Sequence, residues 1–196
     1  MLTKDFYYNL PEESIAQTPI KPRDHSKLMV LDCARKSRDH RHFFEITDYL
    51  RSGDLLVVNN SKVFRARLTG YKEEKRLEIF LLRPEGDAWI VLAKPGKKIA
   101  CGDMISFDDD VNAKVESKLD DGTVIIRFNI SHDTVFAFAE KFGQVPTPPY
   151  VKQAPNDADD YQTVYAKTTG SVAAPTAGFH FTPELLQKLR DMGVNI

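Results

Sequence analysis

RLEIFLLRPEGDAWIVLAKPGKKIACGDMISFDDDVNAKVESKLDDGTVIIRF, residues 76–128, repeats apolar residues with a period of two. Leu77, Ile79 and Leu81 alternate with Arg76, Glu78 and Phe80. Trp89 and Val91 alternate with Ile90 and Leu92, and Val111, Ala113 and Val115 with Asn112, Lys114 and Glu116; Val124, Ile126 and Phe128 follow. Successive side chains of a strand point to opposite faces, so this pattern predicts strands with one buried face. Pro84 to Gly86, Pro95-Gly96, Gly102-Asp103 and Asp121-Gly122 punctuate them, at about the 8–12-residue spacing of all-β domains. Asp121-Gly122 suits a tight hairpin with positive φ at both turn positions. No helical period interrupts, and the prediction is a small antiparallel barrel or sandwich.

On either side the pattern changes. Pro11 to Gln17 and Phe43 to Leu50 read as short helices, the first opened by Pro11 and the second stopped by Gly53. Leu28 to Leu31 and Asp54 to Val58 read as strands, the second buried and opening into the polar turn Asn59-Asn60-Ser61-Lys62. Ser131 to Phe142 reads as a helix between an N-cap serine and Gly143, and Asp157 to Lys167 as another. Pro146-Thr147-Pro148-Pro149 suits an extended return path, and Gly170 to Gly178 a loop of small residues. The last helix is well marked: Thr182 as cap, Pro183 first, Glu184 in the first turn, Gly193 at the end. These segments predict an α/β domain from residues 1–64 and 146–196, interrupted by a β-barrel domain inserted at 65–145. Helix, glycine, then Val194-Asn195-Ile196 is how a helix feeds the next strand of an α/β unit, so the α/β domain is expected to be incomplete at its C-terminal side.

Composition narrows the class. Of 196 residues 42% are hydrophobic and 28% charged, which excludes a disordered chain, a collagen-like repeat and a disulfide-stapled mini-protein. No apolar run approaches the ~20 residues of a membrane helix, and the N-terminus lacks the apolar core of a signal peptide. Cys33 and Cys101 are far apart, which fits a reducing, cytoplasmic setting and argues against a zinc knuckle. With 27 Lys and Arg against 28 Asp and Glu, the formal charge is −1 and does not announce a nucleic-acid binder.

Local charge is less even. Pro19 to His42 holds seven Lys/Arg against three Asp, including Arg23-Asp24-His25-Ser26-Lys27. Arg forks onto phosphate, but on this stretch alone a solvated turn with an internal ion pair is the favoured reading. Asn59 to Arg76 holds six basic against two acidic residues. Its amides and hydroxyl suit a nucleoside and Lys62, Arg65 and Arg67 suit phosphate or carboxylate; the alternative is a polar inter-domain turn. Lys94, Lys97 and Lys98 are either a phosphate contact on a barrel loop or a solvated turn. His40 and His42 lack further metal ligands at useful spacing, and Asp108-Asp109-Asp110 lacks a calcium-loop pattern. No metal site is expected. There is no G-x-G-x-x-G, P-loop or G-x-S-x-G motif.

The third constellation is Tyr161-Gln162-Thr163-Val164-Tyr165 followed by GSVAAPTAGFHFT at residues 170–182. Small residues let a ligand approach the backbone, tyrosines stack on bases, and His180 is the best acid/base group among five histidines. A satisfied structural histidine is the plainer reading of His180 alone.

Here the chain resembles the bacterial S-adenosylmethionine:tRNA ribosyltransferase-isomerase family of queuosine biosynthesis. Tyr161 to Leu186 carries the closest likeness, and the motifs run in register along the whole chain. Leu10 to Pro19, Arg23 to Leu28 (R-D-x-S-[KR]-L), Gly53 to Val63 (G-D-x-L-V-x-N-[DN]-[ST]-[KR]-V), Lys94 to Lys97 and Pro146 to Tyr150 match further signatures. Arg65 stands where relatives carry Pro. Family members run to roughly 340 residues, more than two ordinary domains. Their second half, with a T-L-H-V-G strand and a T-T-S-x-R segment, has no counterpart here.

The resemblance implies an α/β domain with an inserted β-barrel, in a cytoplasmic enzyme that is monomeric when complete. It also implies transfer and isomerisation of the ribosyl part of S-adenosylmethionine, the co-substrate, onto 7-aminomethyl-7-deazaguanine in tRNA. The product is epoxyqueuosine-tRNA, with adenine and methionine released, and no metal is implied. On this resemblance Asn59, Asn60, Lys62, Tyr161, Gln162, Tyr165, Ser171, Ala174, Pro175, Thr176, Ala177 and Gly178 are expected at the co-substrate. Arg23, Lys27, Arg65 and Arg67 are expected to hold tRNA phosphates, and His180 to transfer a proton. The partners are then the tRNA and a C-terminal half supplied as a separate chain. The competing reading is an RNA-binding fragment without activity that keeps the barrel and the basic turns. A methyltransferase is a poorer third, for want of a glycine-rich cofactor motif.

Overall fold

The computed structural model describes residues 2–146, 150–151 and 158–196. Thr147 to Pro149 of the expected extended path, and Asp157, lie outside the described residues. In chain order the strands are β1 (Lys27–Asp32), β2 (Ser37–His42), β3 (Ser61–Val63), β4 (Arg67–Lys72), β5 (Lys75–Glu85), β6 (Ala88–Lys94), β7 (Met104–Ser106), β8 (Asn112–Lys118), β9 (Val124–Phe128) and β10 (Thr168–Ser171). The α-helices are α1 (His132–Phe142) and α2 (Pro183–Asp191). The chain divides into two compact units, one of residues 1–58, 147–160 and 177–196, the other of residues 59–146 and 161–176.

In the second unit six antiparallel strands close into a barrel in the order β4-β5-β6-β9-β8-β7, one of the two architectures that the period-two stretch left open and the one the family resemblance implied. Its interior is filled by the alternating residues of that stretch: Leu77, Ile79, Leu81, Val91, Ile105, Val115 and Ile126 are wholly buried. Register shifts between Leu81 and Arg83 and between Val115 and Ser117 mark bulges, which bend strands enough for a six-stranded sheet to close. The β8–β9 connection is wider than a two-residue turn. Only Gly122 takes positive φ, while the Asp121 carboxylate accepts hydrogen bonds from the Thr123 N–H and hydroxyl. Helix α1 starts at Ser131, whose hydroxyl accepts from the Thr134 N–H, and adds Val135, Phe138 and Ala139 to the barrel core. Trp89, 1% exposed, packs edge-on against Phe136 and Phe64.

Two segments flanking the barrel stretch join this unit. β3 pairs in parallel with β10, and the Phe64 N–H donates to the Ser171 carbonyl at 3.2 Å. The small-residue loop therefore begins with a strand, a correction to the expected loop at Gly170. The described part of the expected helix, residues 158–167, is not α-helical either: a 3-10 turn spans Ala158–Tyr161, and a further turn, with the Ala166 N–H donating to Thr163 O, leads into β10. A segment this short gains too few intrahelical bonds to offset nucleation unless a packed face supports it.

In the first unit β1 and β2 form a regular antiparallel hairpin from Lys27↔His42 to Asp32↔Ser37. The expected helices at Pro11 to Gln17 and Phe43 to Leu50 are single 3-10 segments, Glu12–Ser14 and Phe43–Asp48. Aromatic and β-branched residues at Phe43, Phe44, Ile46 and Thr47 disfavour a longer helix. Helix α2 has the expected ends: the Thr182 hydroxyl accepts from the Leu185 N–H, Pro183 opens it, and Gly193 with φ +83 closes it. Leu185, Leu186 and Leu189 are its buried stripe.

After α2 the chain pairs in parallel with the segment expected as a buried strand. The Leu56 N–H donates to Asn195 O, and the Asn195 N–H to Asp54 O, both at 2.8 Å. That segment, however, is not buried: Leu55 is 70% exposed and Val57 81%. An apolar run reports what a strand prefers to touch; burial also needs a neighbour, and Asn195 is its one bridge partner among the described residues. No helix among the described residues is long and apolar enough to cross a membrane.

Candidate functional site

The expected co-substrate residues of the barrel unit gather on β3, β10 and the segments flanking them. Asn59 accepts from the Ser61 N–H at 2.8 Å, an Asx turn that launches β3. The Asn60 carbonyl accepts from the Lys167 and Thr168 N–H groups, which leaves the Asn60 and Lys62 side chains exposed. Gln162 is more constrained: its amide oxygen accepts from the Val63 N–H at 3.1 Å and its NH2 donates to the Val63 carbonyl. It thereby caps β3 as a neighbouring strand would. Replacing Gln162 by Ala leaves both backbone groups of buried Val63 unpaired, and a loss of roughly 2 kcal/mol is expected in urea denaturation. An unchanged midpoint would refute that bracing role.

Several further polar groups lie on β3, β10 and the segments flanking them. The Ser61 and Thr163 hydroxyls are buried without a hydrogen-bond partner among the described residues. Burial pushes the Tyr165 phenol above its ordinary range, so it stays neutral and able to hydrogen-bond; Tyr161, four residues earlier, is half-buried. The Ser171 hydroxyl is committed to its own loop, donating to Ala173 O at 2.7 Å. Ala174 and Pro175 are half-buried and Thr176 is exposed. Of the expected phosphate contacts here, Arg65 lies 4.0 Å from Glu140, and Arg67 pairs its backbone with Gln144.

The remaining expected residues belong to the other unit. Ala177 is exposed and Gly178 buried, in a 3-10 turn over Thr176–His180. The His180 ring lies 5.3 Å from the Phe43 ring and hydrogen-bonds the backbone of Arg23. Two motifs about 150 residues apart thus meet, since Arg23 also stacks over Phe179 at 6.0 Å. Arg23 is 3.9 Å from Asp160, a buried carboxylate that also pairs with Lys21 at 3.1 Å. Lys27 is exposed at the start of β1. The role of Asp160 was not legible in the sequence, where it falls within the segment expected to be helical. His42 stacks on Phe44 and sits 3.6 Å from Glu45; no group of three metal-ligating side chains forms among the described residues.

Burial lowers the His180 pKa from its ordinary 6.5, outweighing the opposing effect of the Arg23 hydrogen bond. The unfolded chain then binds its proton more tightly than the folded one. Stability contributed by neutral His180 is complete above pH 6.5 and is lost as pH falls through the folded pKa. Chemical denaturation at a series of pH values should show this acid-side loss, and His180→Gln should flatten it. An unchanged profile in that variant would assign the loss to other groups.

A family model described as "queuosine biosynthesis protein" matches residues 3–196. The chain belongs to that family. Two curated relatives named S-adenosylmethionine:tRNA ribosyltransferase-isomerase match all of it. The Finegoldia magna protein is 46% identical, with 57% of its own length covered, and the Moorella thermoacetica protein 44%, with 58% covered. A crystal structure of an S-adenosylmethionine tRNA ribosyltransferase from Thermotoga maritima is 36% identical, with 97% of this chain and 55% of that one covered and a TM-score of 0.39. The chain therefore spans a little over half the length of the family members it matches.

Proposed function

We propose that this chain carries the N-terminal share of a tRNA ribosyltransferase-isomerase, acting on S-adenosylmethionine and on tRNA that contains 7-aminomethyl-7-deazaguanine. The supporting observation is the continuous family match over residues 3–196, with the motifs of both units in register. The sulfonium of the co-substrate makes C5′ electrophilic. A neutral aminomethyl group can then attack it, with methionine leaving on the sulfur electron pair. Later steps remove a ribosyl proton, release adenine and yield epoxyqueuosine. In the barrel unit the residues of β3, β10 and their flanks take the co-substrate, with the unpaired Ser61 and Thr163 hydroxyls and the neutral Tyr165 phenol as its polar partners. In the other unit neutral His180 takes the proton. Arg23 helps hold that histidine through its backbone, and Lys27, Arg65 and Arg67 meet phosphate.

The test is to incubate the chain with both substrates, alone and with a polypeptide carrying the C-terminal 43% of the Finegoldia relative, the share the match leaves uncovered. Release of adenine and methionine only in the mixture is the expected result. The partial coverage favours a second reading, an RNA-binding module, which predicts RNA binding without turnover in either condition.

A further inference from the structure

The outer wall of the barrel holds a cluster of cations that shares Arg67 with the site described above and otherwise lies apart from it. Across β4, β5 and β6, Thr69 stands opposite Glu78 and Glu78 opposite Lys94. Arg67 precedes Thr69 by two residues and Arg76 precedes Glu78 by two, so all five point away from the core. With Gln144 they line an open cavity of about 310 Å³. Arg76 Nη2 donates to Thr69 Oγ1 at 3.3 Å, which turns the guanidinium along the wall. Three cations against one carboxylate leave a net positive cavity, and among the described residues none of the three is in an ion pair. Arg67 Nε is buried with no hydrogen-bond partner among the described residues. Like charges gathered around an unmade buried donor are unfavourable in the protein alone and are relieved by an anion.

The lining also favours one kind of anion. Arginine donors fork onto phosphate oxygens. Glu78 would repel a second phosphate but can accept from a hydroxyl, and Thr69 and Gln144 are neutral hydrogen-bonding groups. A phosphate with a hydroxyl-bearing sugar attached meets both halves of the cavity, and the 2′-hydroxyl is what RNA offers and DNA lacks. We propose that this cavity seats one sugar–phosphate unit of the RNA backbone, with Arg67, Arg76 and Lys94 on the phosphate and Glu78 accepting from the ribose 2′-hydroxyl. The assignment rests on the tRNA reading above and adds to it a contact on the barrel wall.

Fluorescence anisotropy of a labelled anticodon stem-loop RNA, and of its all-deoxy counterpart, tests this with the 196-residue chain. Arg76→Ala and Lys94→Ala remove exposed side chains, and Lys114→Ala, on the exposed face of β8, is the control. Each cavity variant should weaken RNA binding about three- to ten-fold and reduce the slope of log affinity against log salt by about 0.7–0.9, while the control does neither. The deoxy probe should bind more weakly, and Glu78→Ala should abolish that preference. Wild-type binding with affinity and slope unchanged in both variants overturns the cavity and leaves the tRNA reading standing. No RNA binding by the wild-type chain overturns both.

Discussion

Gly143→Ala is expected to destabilise the barrel unit by roughly 3 kcal/mol or more, measured by urea denaturation. Gly143 has an ordinary extended backbone, with φ −81, so the cost is not conformational. It comes from space. A Cβ at this position would lie 2.0 Å from the Arg65 carbonyl oxygen and 2.5 Å from that of Ala139. Both obstacles are backbone, so no side-chain rotation relieves them. The Gly143 N–H donates to Ala139 O at 2.7 Å, and the next residue pairs with Arg67 through two backbone hydrogen bonds. Moving the chain outward would break this return from α1 to the barrel. Gly96→Ala is the control: its Cβ would meet nothing within 4 Å and its φ is not positive, so a near-neutral change is expected. Equal stabilities of the two variants would refute the steric account.

The second large effect is on chemistry. In the mixture that turns over, His180→Ala is expected to lower turnover by about 10²–10⁴-fold, the usual contribution of a positioned proton-transfer group. The structural basis is a partly buried imidazole held by the Arg23 backbone and Phe43, with its pKa lowered so that it is neutral at pH 7. A neutral imidazole can accept the proton that a cationic amine must lose. Because the ring also packs against Phe43, a merely structural role predicts a lowered urea midpoint with an unchanged pH–rate profile. A proton-transfer role predicts loss of the acidic limb of that profile. Near-normal turnover in the variant would remove His180 from the chemistry.

How much of this was legible beforehand differs between the two units. The barrel was written in its own strands. Leu77, Ile79 and Leu81 had to face one way and Arg76 and Glu78 the other, and closure follows from burying one face of several short strands while leaving no edge. The caps of α1 and α2 were equally local, because Ser131 and Thr182 act within three residues of themselves. Readings failed where a segment's state depends on distant partners. Leu55 and Val57 look like core by composition, yet are exposed because only Asn195 pairs beside them among the described residues. Gly170 and Ser171 look like the start of a loop, yet belong to strand β10 because β3 lies alongside it.

The candidate site divides the same way. Its residue types, small groups around Ser171 to Gly178 with tyrosines before and a histidine after, were visible as a motif and sufficient to indicate the family. Their duties were not. Gln162 braces Val63, Asp160 gathers Lys21 and Arg23, and Arg23 holds His180, and each pairing joins residues that only the folded chain brings together. Thus the sequence by itself determined the antiparallel strands of the barrel unit, the helix ends and the family, because alternation, capping and motif spacing are short-range properties of the chain. The tertiary structure alone decided which polar groups are committed to the fold and which, such as the Ser61 and Thr163 hydroxyls and Arg67 Nε, are buried without a hydrogen-bond partner among the described residues, because hydrogen bonding and burial depend on what the fold places a few ångströms away.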